Sequence, residues 1–227
     1  MNFSSCKTEK HKVKKKQRKH GDIFSIWNYD GRIAYEDIIK VTNDFDIRYC
    51  IGIGKYGSVY GAQLPSAKVV ALKKLHGFEA EDPSFNHCFT NEVQMLTNVR
   101  HRNIMKLYRF CLHNKCMFLV YEYMKKRSLF CTLRFDVEAL EIEWTQMVKI
   151  VEAMTHALSY LYHDCTMPII HRDILSNNIL LNSQLEAFVV DFRTAILLHL
   201  DSSNRSVIAG TYGYIAPGTS ATFVLSK

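Results

Sequence analysis

Asp173, Asn178 and Asp191 have the types and spacing of a phosphoryl-transfer site. In the run His171-Arg172-Asp173-Ile174-Leu175-Ser176-Asn177-Asn178, the Asp173 carboxylate can accept the proton of an attacking hydroxyl. Asn178, together with Asp191 placed 18 residues after Asp173 and just before Phe192, offers the hard oxygen atoms that Mg²⁺ prefers. Arg172 stands with Asp173 as a catalytic candidate. Apolar residues bracket the segment Ile169–Leu181, so its dense polar groups need one another as hydrogen-bond partners, or a metal and a substrate.

Such a site needs phosphates held opposite it, and three upstream features can hold them. Gly52-Ile53-Gly54-Lys55-Tyr56-Gly57-Ser58-Val59 fits G-x-G-x-x-G-x-V, whose glycines let backbone N–H groups approach phosphates. Taken alone, an ordinary glycine turn explains the same residues. A dinucleotide fold fails on context, because the residues after Gly57 read as strand, and the expected place of an acidic ribose ligand holds the strand of Lys73. In Val70-Ala71-Leu72-Lys73, residues two apart share a sheet face. Ala71 with Val59 can therefore roof a purine while Lys73 reaches phosphate oxygens. The plain alternative is a lysine snorkelling from an edge strand, which is how Lys74 reads. Glu92 bears on the choice. It lies one turn from Cys88 and Leu96 on the apolar side of a helix, where an unpaired carboxylate is costly, and Lys73 is its candidate partner. An exposed glutamate is the alternative.

The elements that position these residues can be read from periodicity. Tyr35, Ile38, Ile39, Thr42 and Phe45 fit one face of a short helix. Strands are expected at Arg48–Ile53 and Ser58–Gln63 around the glycine loop, and at Lys68–Lys74 after Pro65-Ser66. A helix is expected at Ser84–Asn98, with Phe85, Phe89, Val93 and Leu96 as its stripe. Strands at Met105–Cys111 and Cys116–Tyr123 complete a small sheet. After Met124 the pattern turns helical, most clearly over Trp144–Tyr162, with Met147, Ile150, Val151, Met154, Leu158 and Leu161 recurring. The expectation is α+β: a mostly β lobe, a connector near 122–124 and a mostly α lobe.

At 227 residues and 48% hydrophobic content, the chain can bury a core and hide roughly 70% of its unfolded surface. Its charge of +7 is local. Residues 1–20 hold eight of the 29 Lys/Arg and only Glu9 of the 22 acidic residues, leaving 21 of each sign in the rest. That balance argues against a basic nucleic-acid-binding body, and no aromatic pattern accompanies the lysines of the tail. Residues 1–25 are expected to be disordered. The run Lys7–Lys19 has three readings: a solvated charge run, a nuclear-import-like patch, or a segment lying on anionic lipid. Seven scattered cysteines without a C-x-x-C pair read as reduced thiols. No apolar run is long enough for a membrane span, no signal-peptide pattern opens the chain, and Met1-Asn2 excludes N-myristoylation.

From residue 29 to 217 the chain resembles the cytoplasmic kinase domain of a plant leucine-rich-repeat receptor-like Ser/Thr protein kinase. The residues that carry this are the glycine loop, Val70-Ala71-Leu72-Lys73, Glu92, Leu119-Val120-Tyr121-Glu122-Tyr123-Met124, His171-Arg172-Asp173, Asn178, Asp191-Phe192 and Gly210-Thr211-Tyr212-Gly213-Tyr214-Ile215-Ala216-Pro217. The resemblance implies a two-lobed fold: a basic tail at 1–25, a juxtamembrane-like helical segment at 26–45, a small lobe and hinge at 46–124, and a large lobe at 125–227. It implies ATP and Mg²⁺ as cofactors, with Gly52, Ile53, Gly54, Gly57, Val59, Ala71, Lys73, Glu122, Met124 and Leu180 at the nucleotide and Asn178 and Asp191 at the metal. Asp173, Lys73, Glu92 and Arg172 form the catalytic set. Tyr121 becomes the gatekeeper, and Leu96, Leu107, His171 and Phe192 an internal column. Protein substrates or partner kinases are the implied partners, and the implied location is cytoplasmic, with Lys7–Lys19 offering a route to the inner face of the plasma membrane. Four departures point toward the alternative of a catalytically impaired pseudokinase acting as a binding partner or decoy. Arg193 replaces the glycine of D-F-G, Leu175 stands where many Ser/Thr kinases place a lysine, and Gly218 replaces the glutamate of A-P-E. The chain also stops at Lys227, which leaves the expected large lobe incomplete.

Overall fold

A computed structural model describes residues 35–54, 57–75, 83–113, 116–134 and 142–198. The basic tail at 1–25, the first part of the 26–45 segment, Lys55-Tyr56, the stretch Gly210–Pro217 and Gly218 lie outside the described residues. The described chain is α+β. Five antiparallel strands, β1 (Cys50–Gly54), β2 (Gly57–Gln63), β3 (Val69–Leu75), β4 (Leu107–His113) and β5 (Cys116–Glu122), form a sheet in the order β1-β2-β3-β5-β4. Helices α1 (Tyr35–Thr42) and α2 (Pro83–Asn98) accompany it, followed by α3 (Leu129–Arg134) and α4 (Trp144–Ser159).

Alternation along β3 builds two different faces. Val70 and Leu72 are fully buried on one side, packed with Ile38 of α1, Phe45, Phe118 and Val120. Ala71 and Lys73 point to the other side, as a period of two requires. Strand register then sets their neighbours: Val59 and Leu119 lie opposite Lys73, while Gly61 and Tyr121 lie opposite Ala71. Lys74 turns back to the α1 side, its Nζ 4.3 Å from the Phe45 ring centre, a cation–π contact. At the start of β2 a side chain has no room. A Cβ on Gly57 would lie 2.3 Å from the backbone oxygen of Lys74.

Local chemistry shifts some boundaries from those read in the sequence. The strand expected from Arg48 begins at Cys50, because Ile47–Tyr49 is a 3₁₀ turn capped by Asp46, whose carboxylate accepts from the Arg48 backbone N–H at 2.9 Å. The strand expected from Met105 begins at Leu107. Residues 160–164 leave α geometry for a π turn, so the helix expected to run to Tyr162 ends at Ser159. Ile150, Met154, Ala157 and Leu161 make its buried stripe, whereas Val151, expected on that face, is exposed. One residue along a helix is a 100° rotation, enough to carry Val151 off the core.

The region after Met124, expected to be mostly helical, also contains two small ladders. β6 (Ile169–Ile170) pairs with β9 (Ile196–Leu197), and β7 (Ile179–Leu181) pairs with β8 (Ala187–Val189). These ladders hold the chemistry-bearing loops: residues 171–178 connect β6 to β7, and residues 190–195 connect β8 to β9. Backbone bonds tie β8 to the segment that leads into β4, with Val189 N–H donating to Asn103 O at 2.8 Å and Met105 N–H to Val189 O at 2.9 Å. A single buried cluster runs from Leu119 and Tyr121 through Leu96 and Leu107 to Phe192 and Ile150.

Candidate nucleotide and phosphoryl-transfer site

Lys73 is the centre of an ion-pair cluster between β3, α2 and the β8–β9 loop. Its Nζ lies 3.0 and 2.8 Å from the two carboxylate oxygens of Glu92 and 3.2 Å from Asp191 Oδ1. Glu92 is only 2% exposed, a burial that an unpaired carboxylate could not sustain cheaply. Burial alone would lower the Lys73 pKa, but the Glu92 and Asp191 carboxylates outweigh it and raise it. The Tyr121 hydroxyl donates to Glu92 Oε1 at 2.6 Å. Its phenol is pushed well above the usual range, by burial first and by the Glu92 charge second. The Tyr121 bond is absent from the sequence reading, which places that side chain as a gatekeeper without pairing it to the helix. The β5 register opposite Ala71 is the signal that could have found it.

The second half of the site lies on the loops between the short ladders. Asn178 donates its side-chain N–H groups to the backbone oxygen of Asp173 at 2.9 Å and to its Oδ2 at 2.8 Å, which fixes the direction of that carboxylate. His171 is buried beneath the loop. Its Nε2 meets Val190 O at 3.0 Å, and its Nδ1 accepts from Asp173 N–H at 3.3 Å. A carbonyl cannot donate and an amide N–H must, so the ring is the neutral tautomer protonated on Nε2. Burial holds its pKa below the usual value accordingly. The His171 ring also meets Phe192 edge-on, with centroids 4.8 Å apart. Arg172 adopts φ 66° and donates from Nε to Thr194 O at 2.6 Å.

Asp191 sits in left-handed backbone, φ 67° and ψ 72°, a region that few non-glycine residues occupy. Both of its carboxylate oxygens accept from one guanidinium: Arg193 Nε meets Oδ1 and Nη2 meets Oδ2. Burial would raise the Asp191 pKa, but Lys73 and Arg193 together hold it below the usual carboxylate range. Arg193 belongs to the turn Phe192–Thr194, and Asn91 of α2 pins that turn. The Asn91 Nδ2 lies 3.2, 3.0 and 2.8 Å from the backbone oxygens of Phe192, Arg193 and Ala195. Asn91 sits beside Glu92 in a helix whose apolar stripe drew the sequence reading, and a polar residue off that stripe gave no signal of its own.

The remaining expected nucleotide residues lie on or beside the sheet face that carries Lys73. Val59 is half-buried, between Gly52 and Lys73 in register. Gly52 has nothing within 4 Å of an added Cβ, so the chain itself does not require glycine there. Ile53 is 72% exposed. Glu122 is exposed at the end of β5, Met124 is buried, and Leu180 is half-buried on β7 beside Ser128.

The expected metal ligands differ in how well they suit a divalent cation. Asn178 spends its amide nitrogen on Asp173, leaving Oδ1 as the atom to meet a hard ion. Asp191 fits a divalent cation poorly as it stands: Oδ1 already accepts from Lys73 and Arg193 and Oδ2 from Arg193, so an ion on the remaining lone pair would lie against two cationic groups. Among the described residues no group of three or more His, Cys, Asp or Glu is gathered to hold a metal.

Residues 45–220 match the family model of the protein kinase domain. Over 87% of its length the chain is 48% identical to MDIS1-interacting receptor like kinase 2 of Arabidopsis thaliana, covering 19% of that protein. Over 91% of its length it is 46% identical to a probable leucine-rich repeat receptor-like protein kinase of the same plant, again covering 19% of it. A third similarity, 39% identity over 86% of the chain, is to an Arabidopsis leucine-rich repeat receptor-like serine/threonine-protein kinase, of which 18% is covered. The chain thus spans about a fifth of the length of these curated relatives.

Proposed function

Because the chain belongs to the protein kinase domain family, we propose that it binds ATP and transfers the γ-phosphoryl group to Ser/Thr hydroxyls of proteins, as the names of its receptor-like relatives suggest. The observation that carries this reading is the Lys73–Glu92 ion pair at 2.8 Å, with Asp191 on the same lysine at 3.2 Å. It brings together charges that are 118 residues apart in sequence. Adenine packs between Val59 and Ala71 above and Leu180 below, with the backbone of Glu122 and Met124 at its edge. Gly52, Ile53, Gly54 and Gly57 border the phosphates, and Lys73, held by Glu92, meets their oxygens. Asp173 orients the attacking hydroxyl and accepts its proton, its carboxylate aimed by Asn178. Arg172 steadies the loop that carries it through Thr194. The family uses ATP with a divalent metal in general. Here every role assigned belongs to the chain's own groups, since Lys73 and Arg193 already engage the Asp191 carboxylate.

In this reading residues 46–124 form the small lobe and hinge, 125–227 belong to the large lobe, and 26–45 lead in from the basic tail. Lys7–Lys19 holds the chain at the cytoplasmic face of the plasma membrane, where adjacent basic residues each contribute roughly 1 kcal/mol on anionic lipid. No helix of the described residues is long and apolar enough to cross a membrane.

A second reading, a nucleotide-binding partner of other kinases with little turnover, is favoured by one observation, the Arg193–Asp191 contact. Radiolabelled ATP separates the two. Phosphate incorporation into the chain or a generic Ser/Thr substrate, lost in Asp173→Asn, supports transfer. Nucleotide binding with incorporation equal to that of Asp173→Asn supports the binding partner.

A further inference from the structure

The fork of Arg193 on Asp191 has the geometry of a strong ion pair. Two N–H groups of one guanidinium meet the two carboxylate oxygens, a charge-assisted arrangement roughly twice as strong as neutral hydrogen bonds. Both side chains are largely withdrawn from water, 20% and 15% exposed, so salt screens the pair weakly. The backbone beneath it is fixed from both sides. Phe192 is fully buried, and Asn91 ties the oxygens of Phe192, Arg193 and Ala195 to α2. Arg193 therefore cannot leave Asp191 by a swing of its turn; only side-chain rotation would release it.

The charges around this point already balance. Lys73 and Arg193 face Glu92 and Asp191, two cations against two carboxylates. A divalent cation at Asp191 would either displace the guanidinium or take the lone pair left on Oδ2, against the charges of Arg193 and Lys73. Either course is unfavourable: the first moves a paired arginine into less favourable surroundings, and the second sets an ion beside two cations whose charge the carboxylates already balance. We propose that Arg193 takes the place of the divalent cation at Asp191, so that the chain binds nucleotide polyphosphate without a metal on that carboxylate. The guanidinium supplies the positive charge that the ion would otherwise bring to the phosphates. The nucleotide part rests on the ATP-binding reading above, while the exclusion of metal from Asp191 stands on the ion-pair geometry alone.

Two measurements on the full chain separate these parts. The first titrates Mn²⁺, a spectroscopically visible probe, into protein without nucleotide. Arg193→Gly should gain a Mn²⁺ site, with affinity up roughly tenfold or more, and the added change Asp191→Asn should remove it. Wild-type protein should bind Mn²⁺ no better than Asp191→Asn. Wild-type binding as tight as that of Arg193→Gly, or no gain in the variant, overturns the exclusion. The second measures thermal stabilisation by ATP in chelator and in Mg²⁺. The wild type should give the same shift in both, and Arg193→Gly a larger shift in Mg²⁺. A wild-type shift that is larger in Mg²⁺ than in chelator overturns metal-free binding. Absence of any ATP shift in both overturns the nucleotide reading and leaves metal exclusion to the Mn²⁺ titration. If Arg193→Gly does not fold, Arg193→Gln keeps side-chain length without the charge and carries the same comparisons.

Discussion

Asn91 offers a direct test of how α2 controls the loop that carries Asp191. Its side-chain nitrogen is 3.2, 3.0 and 2.8 Å from three backbone oxygens, yet an amide has two hydrogens, so the contact is worth about two hydrogen bonds. At a net 0.5–1.5 kcal/mol each, Asn91→Ala should cost roughly 1–3 kcal/mol. For a chain of this size that lowers the melting temperature by roughly 2–12 °C. Asn91→Asp has nearly the same shape and should be worse, because it presents a carboxylate to three carbonyl oxygens. The expected loss at neutral pH is roughly 3 kcal/mol or more. Its pH dependence gives a second signature. A carboxylate facing carbonyls has a raised folded pKa, so the folded state binds more protons than the unfolded state, and Asn91→Asp should recover stability as pH falls from 7 toward 4. The wild type should do the reverse, because the His171 and Asp191 pKa values are lowered by folding. Denaturant unfolding at several pH values measures all three proteins. Asn91→Asp no less stable than Asn91→Ala at pH 7, or without recovery in acid, would refute the clamp.

The neutral His171 ring predicts a separate slope. Because burial lowers its folded pKa, the unfolded chain takes up a proton below about pH 6.5 that the folded chain refuses. Its contribution is complete above that pH and declines below it, by up to about 1.4 kcal/mol per pH unit. His171→Asn should flatten the dependence of the denaturant midpoint between about pH 6.5 and 5, and an unchanged slope would assign the proton elsewhere. For the tail, binding to phosphatidylserine vesicles should fall as salt rises and disappear when residues 1–20 are deleted; salt-insensitive binding would reject the electrostatic account.

Elements with a strong period were legible in the sequence. β2, β3 and α2 fall within a residue of expectation, because alternation and helical spacing there report two differently solvated faces. Glu92 was legible for the same reason, as a charge on an apolar stripe. The short ladders β6–β9 and β7–β8 were not, since pairs of two and three residues carry no measurable period. The contacts of Tyr121, Asn91 and Arg193 were hidden in another way. Arg193 could be seen as a departure at a glycine position. That its guanidinium reaches back two residues to grip Asp191 depends on the left-handed turn at Asp191, which no side-chain type announces. Side-chain partnerships of this kind are fixed by tertiary geometry rather than by local pattern.

The closeness of β2 to β3 at Gly57 means that one residue can imitate another. Any side chain there would collide with the backbone of Lys74 and Leu75, and backbone cannot step aside as a flexible side chain can. The strands must part instead, and Lys73 is the next residue along. In a screen for lost nucleotide binding, Gly57→Ala would be scored as damage to the glycine loop. The injury would be to the spacing that aims the lysine, so the two defects would share one phenotype, and combining Gly57→Ala with Lys73→Met would add little to either alone.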